Sequence, residues 1–186
     1  MIIIISGPSG VGKGTIVKKL IQYKQLNLGF SVSLTTRKKR NNEVDGVDYC
    51  FVSEEYFEDE IKKGNFLEYA KFVNNYYGTS KKKIDDMLKD NKNVLLEIEI
   101  EGFKQIIKKI DKENILSFFI LSPSFEELEN RIKKRSSEDK DVIKDRLSRA
   151  KEEIKYKSFF DYTIVNSDLD STVEQIASII KKKVAK

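Results

Sequence analysis

The fold is decided by the opening stretch Ile2-Ile3-Ile4-Ile5-Ser6-Gly7-Pro8-Ser9-Gly10-Val11-Gly12-Lys13-Gly14-Thr15. Residues 2 to 6 are a short, uniformly apolar run rich in β-branched side chains, the pattern of a central parallel strand buried on both faces. Beyond the glycines, Ile16, Val17, Leu20 and Ile21 recur at helical spacing, which predicts a helix over residues 15 to 23. The intervening residues, Gly7 to Lys13, match G-x-x-x-x-G-K between a strand and a helix, the context in which that pattern cradles phosphate. Four of the chain's nine glycines fall between Gly7 and Thr15, letting successive backbone N–H groups converge on phosphate oxygens at a helix N-terminus. Lys13 is expected to reach the β- and γ-phosphates of a nucleotide such as ATP. The next residue is Gly14 rather than Ser or Thr, so a hydroxyl facing a Mg²⁺ ion must come from Thr15 or be replaced by water.

Further along, apolar runs at 94 to 100 and 115 to 121 are each followed by helical patterns, and a short strand at 162 to 165 precedes a helix at 171 to 183. These predict an α/β fold of the P-loop NTPase type, a parallel sheet wrapped by helices. The core is assigned to residues 1–30, 88–130 and 149–186 of a single domain. Two segments differ in character: 31–87 is rich in Tyr, Thr and charge, and 131–148 is highly charged. Both are expected to be inserted over the C-terminal edge of the sheet, where open α/β sheets bind ligands. Glu97, Glu99 and Glu101 alternate with Leu96, Ile98 and Ile100, predicting three carboxylates on one face of a strand.

At 186 residues and 39% hydrophobic, the chain can bury one sizeable core. The opening apolar run is too short to span a membrane and lacks the features of a secretion signal, so a cytosolic protein with no membrane association is expected. One cysteine and no histidine exclude an internal disulfide, a Cys/His zinc site and an imidazole-based triad. Phosphoryl transfer suits that restriction, because it relies on positioning and charge neutralisation rather than on a side-chain nucleophile. The net charge of +5 fits nucleic acid or a small polyanion, but no nucleic-acid-binding motif is present. All six arginines lie in two clusters, Arg37 with Arg40, and Arg131, Arg135, Arg146 with Arg149. The planar guanidinium suits bidentate phosphate contacts, although solvated loop and helix faces account for the same clusters on composition alone.

Taken in order, Ser31-Val32-Ser33-Leu34-Thr35-Thr36-Arg37, Arg40, Gly46-Val47-Asp48-Tyr49, Phe66-Leu67-Glu68-Tyr69 and Asn75-Tyr76-Tyr77-Gly78-Thr79, together with the GKGT ending of the glycine loop, resemble the guanylate kinases over essentially the whole chain. The resemblance implies an inserted mixed β/α GMP-binding module at 31–87, a short helical lid at 131–148, and transfer of the γ-phosphoryl group of ATP to GMP with Mg²⁺. It implies that Gly7, Pro8, Ser9, Gly10, Val11, Gly12, Lys13, Gly14, Thr15 and Asn166 bind ATP. Arg37, Arg40, Tyr49 and Tyr77 would cradle the acceptor phosphate, a suitable set of charged and phenolic donors. Glu68 would accept the guanine N1–H and N2–H₂ donors, with Ser33 and Thr79 supplying hydroxyls. Adenine lacks the N1–H and would leave the carboxylate unpaired. Glu97 would lie on the Mg²⁺ side and Glu99 by the acceptor, both in place of the family's shorter aspartates. Arg131, Arg135 and Arg146 would close over the ATP phosphates and act with Lys13 and Arg37 on the transition state. Ser136 stands where glycine is expected and Ser167 where aspartate is usual. A non-catalytic guanylate-kinase-like protein-binding domain is the alternative. The intact Gly12-Lys13, the arginine clusters and the expectation of no appended domain argue against it.

Overall fold

A computed structural model describes residues 1–72, 74–135 and 140–184 of the chain. The element order is β1 (Ile2–Ser6), α1 (Lys13–Leu20), β2 (Leu28–Phe30), β3 (Leu34–Thr35), β4 (Cys50–Phe51), α2 (Glu54–Lys62), β5 (Phe66–Phe72), β6 (Asn75–Ser80), α3 (Lys81–Lys89), β7 (Asn93–Glu97), α4 (Ile100–Ile106), β8 (Ile115–Leu121), α5 (Phe125–Arg135), α6 (Lys140–Ile154), β9 (Tyr162–Val165) and α7 (Leu169–Val184). Five strands form a parallel sheet in the order β2-β7-β1-β8-β9. The opening isoleucines are at its centre, and all five residues of β1 are buried.

Strand alternation sends those isoleucines to two cores. Ile3 and Ile5 pack with Ile16, Leu20, Ile176 and Ile180 on one face. Ile2 and Ile4 pack with Ile84, Ile100, Phe103 and Ile106 on the other. Each fully buried side chain of this kind contributes roughly 1.5–3 kcal/mol, so β1 anchors both layers and fixes the loop that leaves its C-terminal end.

A second, mixed sheet has the order β4-β3-β6-β5, with β3 and β4 parallel and the β3–β6 and β5–β6 pairs antiparallel. It has a small core of its own in Leu34, Phe57 and Phe66. Phe57, from α2, stacks on Phe66 and Tyr76 with centroid distances of 4.4 and 5.2 Å. The Ser53 hydroxyl caps α2 by accepting from the Tyr56 amide at 3.1 Å, and Glu54 and Glu55 occupy its positive first turn.

Several predicted boundaries move. The strand expected over 94 to 100 ends at Glu97. Its partner β1 pairs Ile5 with Glu97 and accepts one more bond from the Ile98 amide at 3.2 Å, and past Ser6 it becomes the glycine loop, so there is no ladder for later residues. Ile100, Phe103 and Ile106 instead bury one face of α4. The carboxylates of Glu97, Glu99 and Glu101 therefore do not share a strand face. Glu99 is the N-cap residue of α4, and Glu101 pairs with Lys104 at 2.7 Å on the surface. The first helix starts at Lys13 because Gly12 caps it in the left-handed region. The last starts at Leu169, with Asp168 accepting from the Ser171 amide at 2.9 Å. Within the segment 131–148, Ser136 and the Arg135 side chain lie outside the described residues. Among the described residues no helix is long and apolar enough to cross a membrane.

Candidate active site

The glycine loop turns at the C-terminal end of β1 and feeds α1. Gly12 has φ +99°, and a Cβ there would lie 2.7 Å from Asn166 Nδ2, so both backbone conformation and space require glycine. Asn166, at the end of β9, donates that amide to the Val11 carbonyl at 2.8 Å. It braces the loop. The buried Lys13 ammonium donates to the carbonyls of Gly7 and Pro8 and lies 4.0 Å from Glu99 Oε1. Above the loop, Arg146 of α6 donates to the Ser9 hydroxyl at 2.8 Å.

The mixed sheet closes the other side. One cavity is lined by Ser9, Gly10, Gly12, Lys13 and Gly14 from the loop, by Ser33, Arg37, Arg40, Tyr49, Glu68 and Tyr77 from the inserted segment, and by Glu97, Glu99 and Arg146. The Arg37 guanidinium lies 5.4 Å from the Tyr49 ring centroid and 5.8 Å from that of Phe51, and Tyr49 meets Tyr77 edge-on at 5.8 Å. Burial, and the nearby charge of Glu97, push the Tyr49 phenol up, keeping it protonated as a hydrogen-bond donor.

Glu68 is the deepest charge in the cavity. A register shift in β5 between Phe66 and Glu68 re-aims this side chain, as bulges beside sites commonly do. The Thr79 hydroxyl on the paired strand donates to its carboxylate. Beneath it lies Gly102 of α4, where a Cβ would collide with the carboxylate oxygen and lie 2.9 Å from Glu68 Cδ. Burial pushes the Glu68 carboxyl up to about 7, and the Thr79 hydrogen bond only partly opposes this.

Thr15 and Glu97 line an adjoining cavity between α1 and the segment before β4. Glu97 Oε2 lies 3.5 Å from where a Gly14 Cβ would stand. Among the described residues no three carboxylate, Cys or His side chains cluster as a metal site. One carboxylate and one hydroxyl suit Mg²⁺, which keeps several waters and takes its other ligands from phosphate.

Not every predicted residue faces the main cavity. Arg131 pairs with Glu127 at 2.9 Å along α5, Thr79 acts on it through Glu68, and Arg135 lies outside the described side chains. Three contributors escaped the sequence reading. Glu43 grips Arg37 through both carboxylate oxygens at 2.7 and 3.0 Å. Glu153 of α6 faces Glu99, and burial, then the Glu99 charge, raise its carboxyl well above the ordinary range against the pull of Lys13 and Arg149. Gly102 makes room for Glu68. The Arg40 to Glu43 spacing of three residues was the one local signal; the other two contacts join distant parts of the chain.

A family model described as guanylate kinase matches residues 1–183. A guanylate kinase of Mycoplasmoides gallisepticum is 48% identical over 182 residues, covering 98% of this chain and 92% of the relative. One of Mycoplasma mobile is 49% identical over 187 aligned positions, covering 98% and 93%. The crystal structure of guanylate kinase from Anaplasma phagocytophilum superposes with a TM-score of 0.83 at 33% identity, covering 100% of this chain and 87% of that one.

The burial of Glu68 makes stability depend on pH. Its carboxyl is raised from 4.5 to about 7 in the folded state, so the folded protein holds a proton that the unfolded chain releases. That contribution is fully present below about pH 4.5 and is lost as pH rises through about 7. The stability of wild type relative to Glu68→Gln should therefore fall by on the order of 3 kcal/mol across that window, read by urea unfolding at several pH values. Parallel pH profiles for the two proteins would contradict the buried-carboxylate assignment.

Proposed function

The chain belongs to the guanylate kinase family, and on that premise we propose how its own residues carry out the transfer of the γ-phosphoryl group of ATP to GMP, giving ADP and GDP. The observation that carries the proposal is that one cavity holds both the glycine loop and the arginine–tyrosine cradle. ATP lays its phosphates along the backbone N–H groups of the loop, with Lys13 turning from the loop carbonyls to the β- and γ-oxygens. GMP enters from the mixed sheet. Its phosphate meets Arg37, Arg40, Tyr49 and Tyr77, and its guanine presents N1–H and N2–H₂ to Glu68, with Ser33 and Thr79 at the base edge. Glu99, 4.0 Å from Lys13, sits where donor and acceptor ends meet.

Catalysis in this arrangement is alignment and charge neutralisation, since the acceptor phosphate oxygen is itself the nucleophile. Arg146, already over Ser9, covers the donor phosphates. Arg131 exchanges Glu127 for phosphate as the lid residues engage, and Arg135 joins it. Thr15 and Glu97 would hold Mg²⁺, partly through water, and the ion would supply further neutralisation of the phosphate oxygens. Asn166 lies on the adenine side. A cytosolic location, where a lone cysteine stays reduced, is part of the same proposal.

Coupled ADP release tests this with each of the four common monophosphates, with and without Mg²⁺. GMP should be used in a Mg²⁺-dependent manner, with AMP, CMP and UMP poorer by roughly a hundredfold or more. A comparable rate with AMP would contradict the assignment of Glu68. Gly102→Ala tests the same end by geometry. Alanine favours helix and should leave the fold intact, but its Cβ must push the Glu68 carboxylate from its place. The expected result is a KM for GMP raised about tenfold or more, one lost charge-assisted hydrogen bond, with the KM for ATP unchanged. Equal effects on both substrates would contradict it.

A further inference from the structure

Arg37 has a partner of its own inside the protein. Glu43 takes two of its donors, from Nη1 at 3.0 Å and Nη2 at 2.7 Å, and the Lys38 carbonyl takes another from Nη1 at 2.7 Å. Both side chains of the pair are mostly buried, at 15% and 14% exposure. Glu43 is also held from the backbone. It accepts from the Arg40 amide at 2.8 Å, and its own amide donates to the Arg40 carbonyl at 3.1 Å. Burial disfavours its charge, but the Arg37 guanidinium and the Arg40 amide outweigh that and hold its carboxyl below the ordinary carboxylate range.

A carboxylate gripping a phosphate-binding arginine can act in two opposite ways. As a stand-in for phosphate it must be displaced, and its removal tightens binding. As a brace it holds the guanidinium in register, and its removal weakens binding. Position separates the two. Arg37, Arg40, Tyr49 and Tyr77 line the main cavity, whereas Glu43 lines the neighbouring one beside α1. It reaches the Nη1 and Nη2 nitrogens from a position that lines the neighbouring cavity and not the main one, and the Tyr49 and Phe51 rings flank the same group. The turn joining Arg40 and Glu43 is closed by one backbone bond and by the Arg40 amide donating to the Glu43 carboxylate, two bonds that do not involve the Arg37 guanidinium.

We propose that Glu43 is a positioning residue for the acceptor phosphate, aiming Arg37 and Arg40 together into the cavity. A guanidinium has five donors in a rigid fork, so fixing one edge on a carboxylate orients the remainder. The inference rests on the acceptor reading above.

Binding of GMP and of guanosine, measured by calorimetry and competition without ATP, tests it in wild type, Glu43→Gln and Glu43→Asp, each with a thermal-unfolding control. Gln keeps the shape but loses the charge, and Asp keeps the charge but not the two-oxygen reach. Both should bind GMP about tenfold or more weakly, the loss of a charged hydrogen-bonded pair, with guanosine affinity and the KM for ATP unchanged. In an Arg37→Lys background, Glu43→Gln should add little, because the two residues act as a unit. Unchanged or tighter GMP binding, a parallel loss for guanosine, additive effects with Arg37→Lys, or unfolding of both variants would each overturn the role given to Glu43. A wild type that binds GMP no better than guanosine would overturn the acceptor-phosphate reading itself, and this inference with it.

Discussion

A carboxylate buried between the mixed sheet and α4 is the constraint around which the inserted segment of this protein is arranged. Removing Glu68 from water costs several kcal/mol unless its oxygens are paired, and the chain meets that cost only in part. Thr79 supplies one hydroxyl and Lys109 a more distant positive charge. The β5 irregularity aims the side chain inward, and the bare backbone of Gly102 leaves room beneath it. What remains unmet is a demand for donors; in the proposed function guanine brings two adjacent ones, N1–H and N2–H₂, where adenine has a bare ring nitrogen and a C–H.

The donor half follows a different logic. Its positive potential comes from backbone N–H groups at the start of α1 and from one lysine, and it is rigid because the preceding strand is buried on both faces. Lys13 and Glu99, 4.0 Å apart, join the chain leaving β1 to the chain leaving β7 at the edge of the parallel core that the mixed sheet faces across the cavity. Across it, α6 brings Arg146 to Ser9 and Glu153 to Glu99. Helix α6 is thus tied both to the glycine loop and to the start of α4.

The strand, glycine loop and helix were legible in the sequence because their information is local. A buried strand, four glycines, a lysine and a helix within about twenty residues encode one another, and the isoleucine run could pair nowhere but at the sheet's centre. Arg37, Arg40, Tyr49, Glu68 and Tyr77, expected at the acceptor through family resemblance, are brought to one cavity by the structure. The end of β7 was not legible. It is set by where β1 stops pairing, a fact about a neighbour some ninety residues away, so alternation alone carried the predicted strand to Ile100 and put Glu101 on the wrong element. Glu43 and Glu153 were illegible for a related reason. Each reads locally as an ordinary surface charge, and only tertiary contact with Arg37 or Glu99 gives it a role. Arg131, turned toward Glu127, was predicted from phosphate chemistry that this arrangement of α5 does not itself display.

The most direct test of the central claim is the kcat/KM for GMP in wild type and Glu68→Gln at saturating ATP. An amide accepts one guanine donor but opposes its own N–H₂ to the other, and the mismatch lies in a buried site. The account predicts a loss of roughly a hundredfold or more for GMP with the KM for ATP unaltered and the fold intact by thermal unfolding. Unchanged kcat/KM for GMP in a folded Glu68→Gln protein would contradict it and move base recognition to another residue.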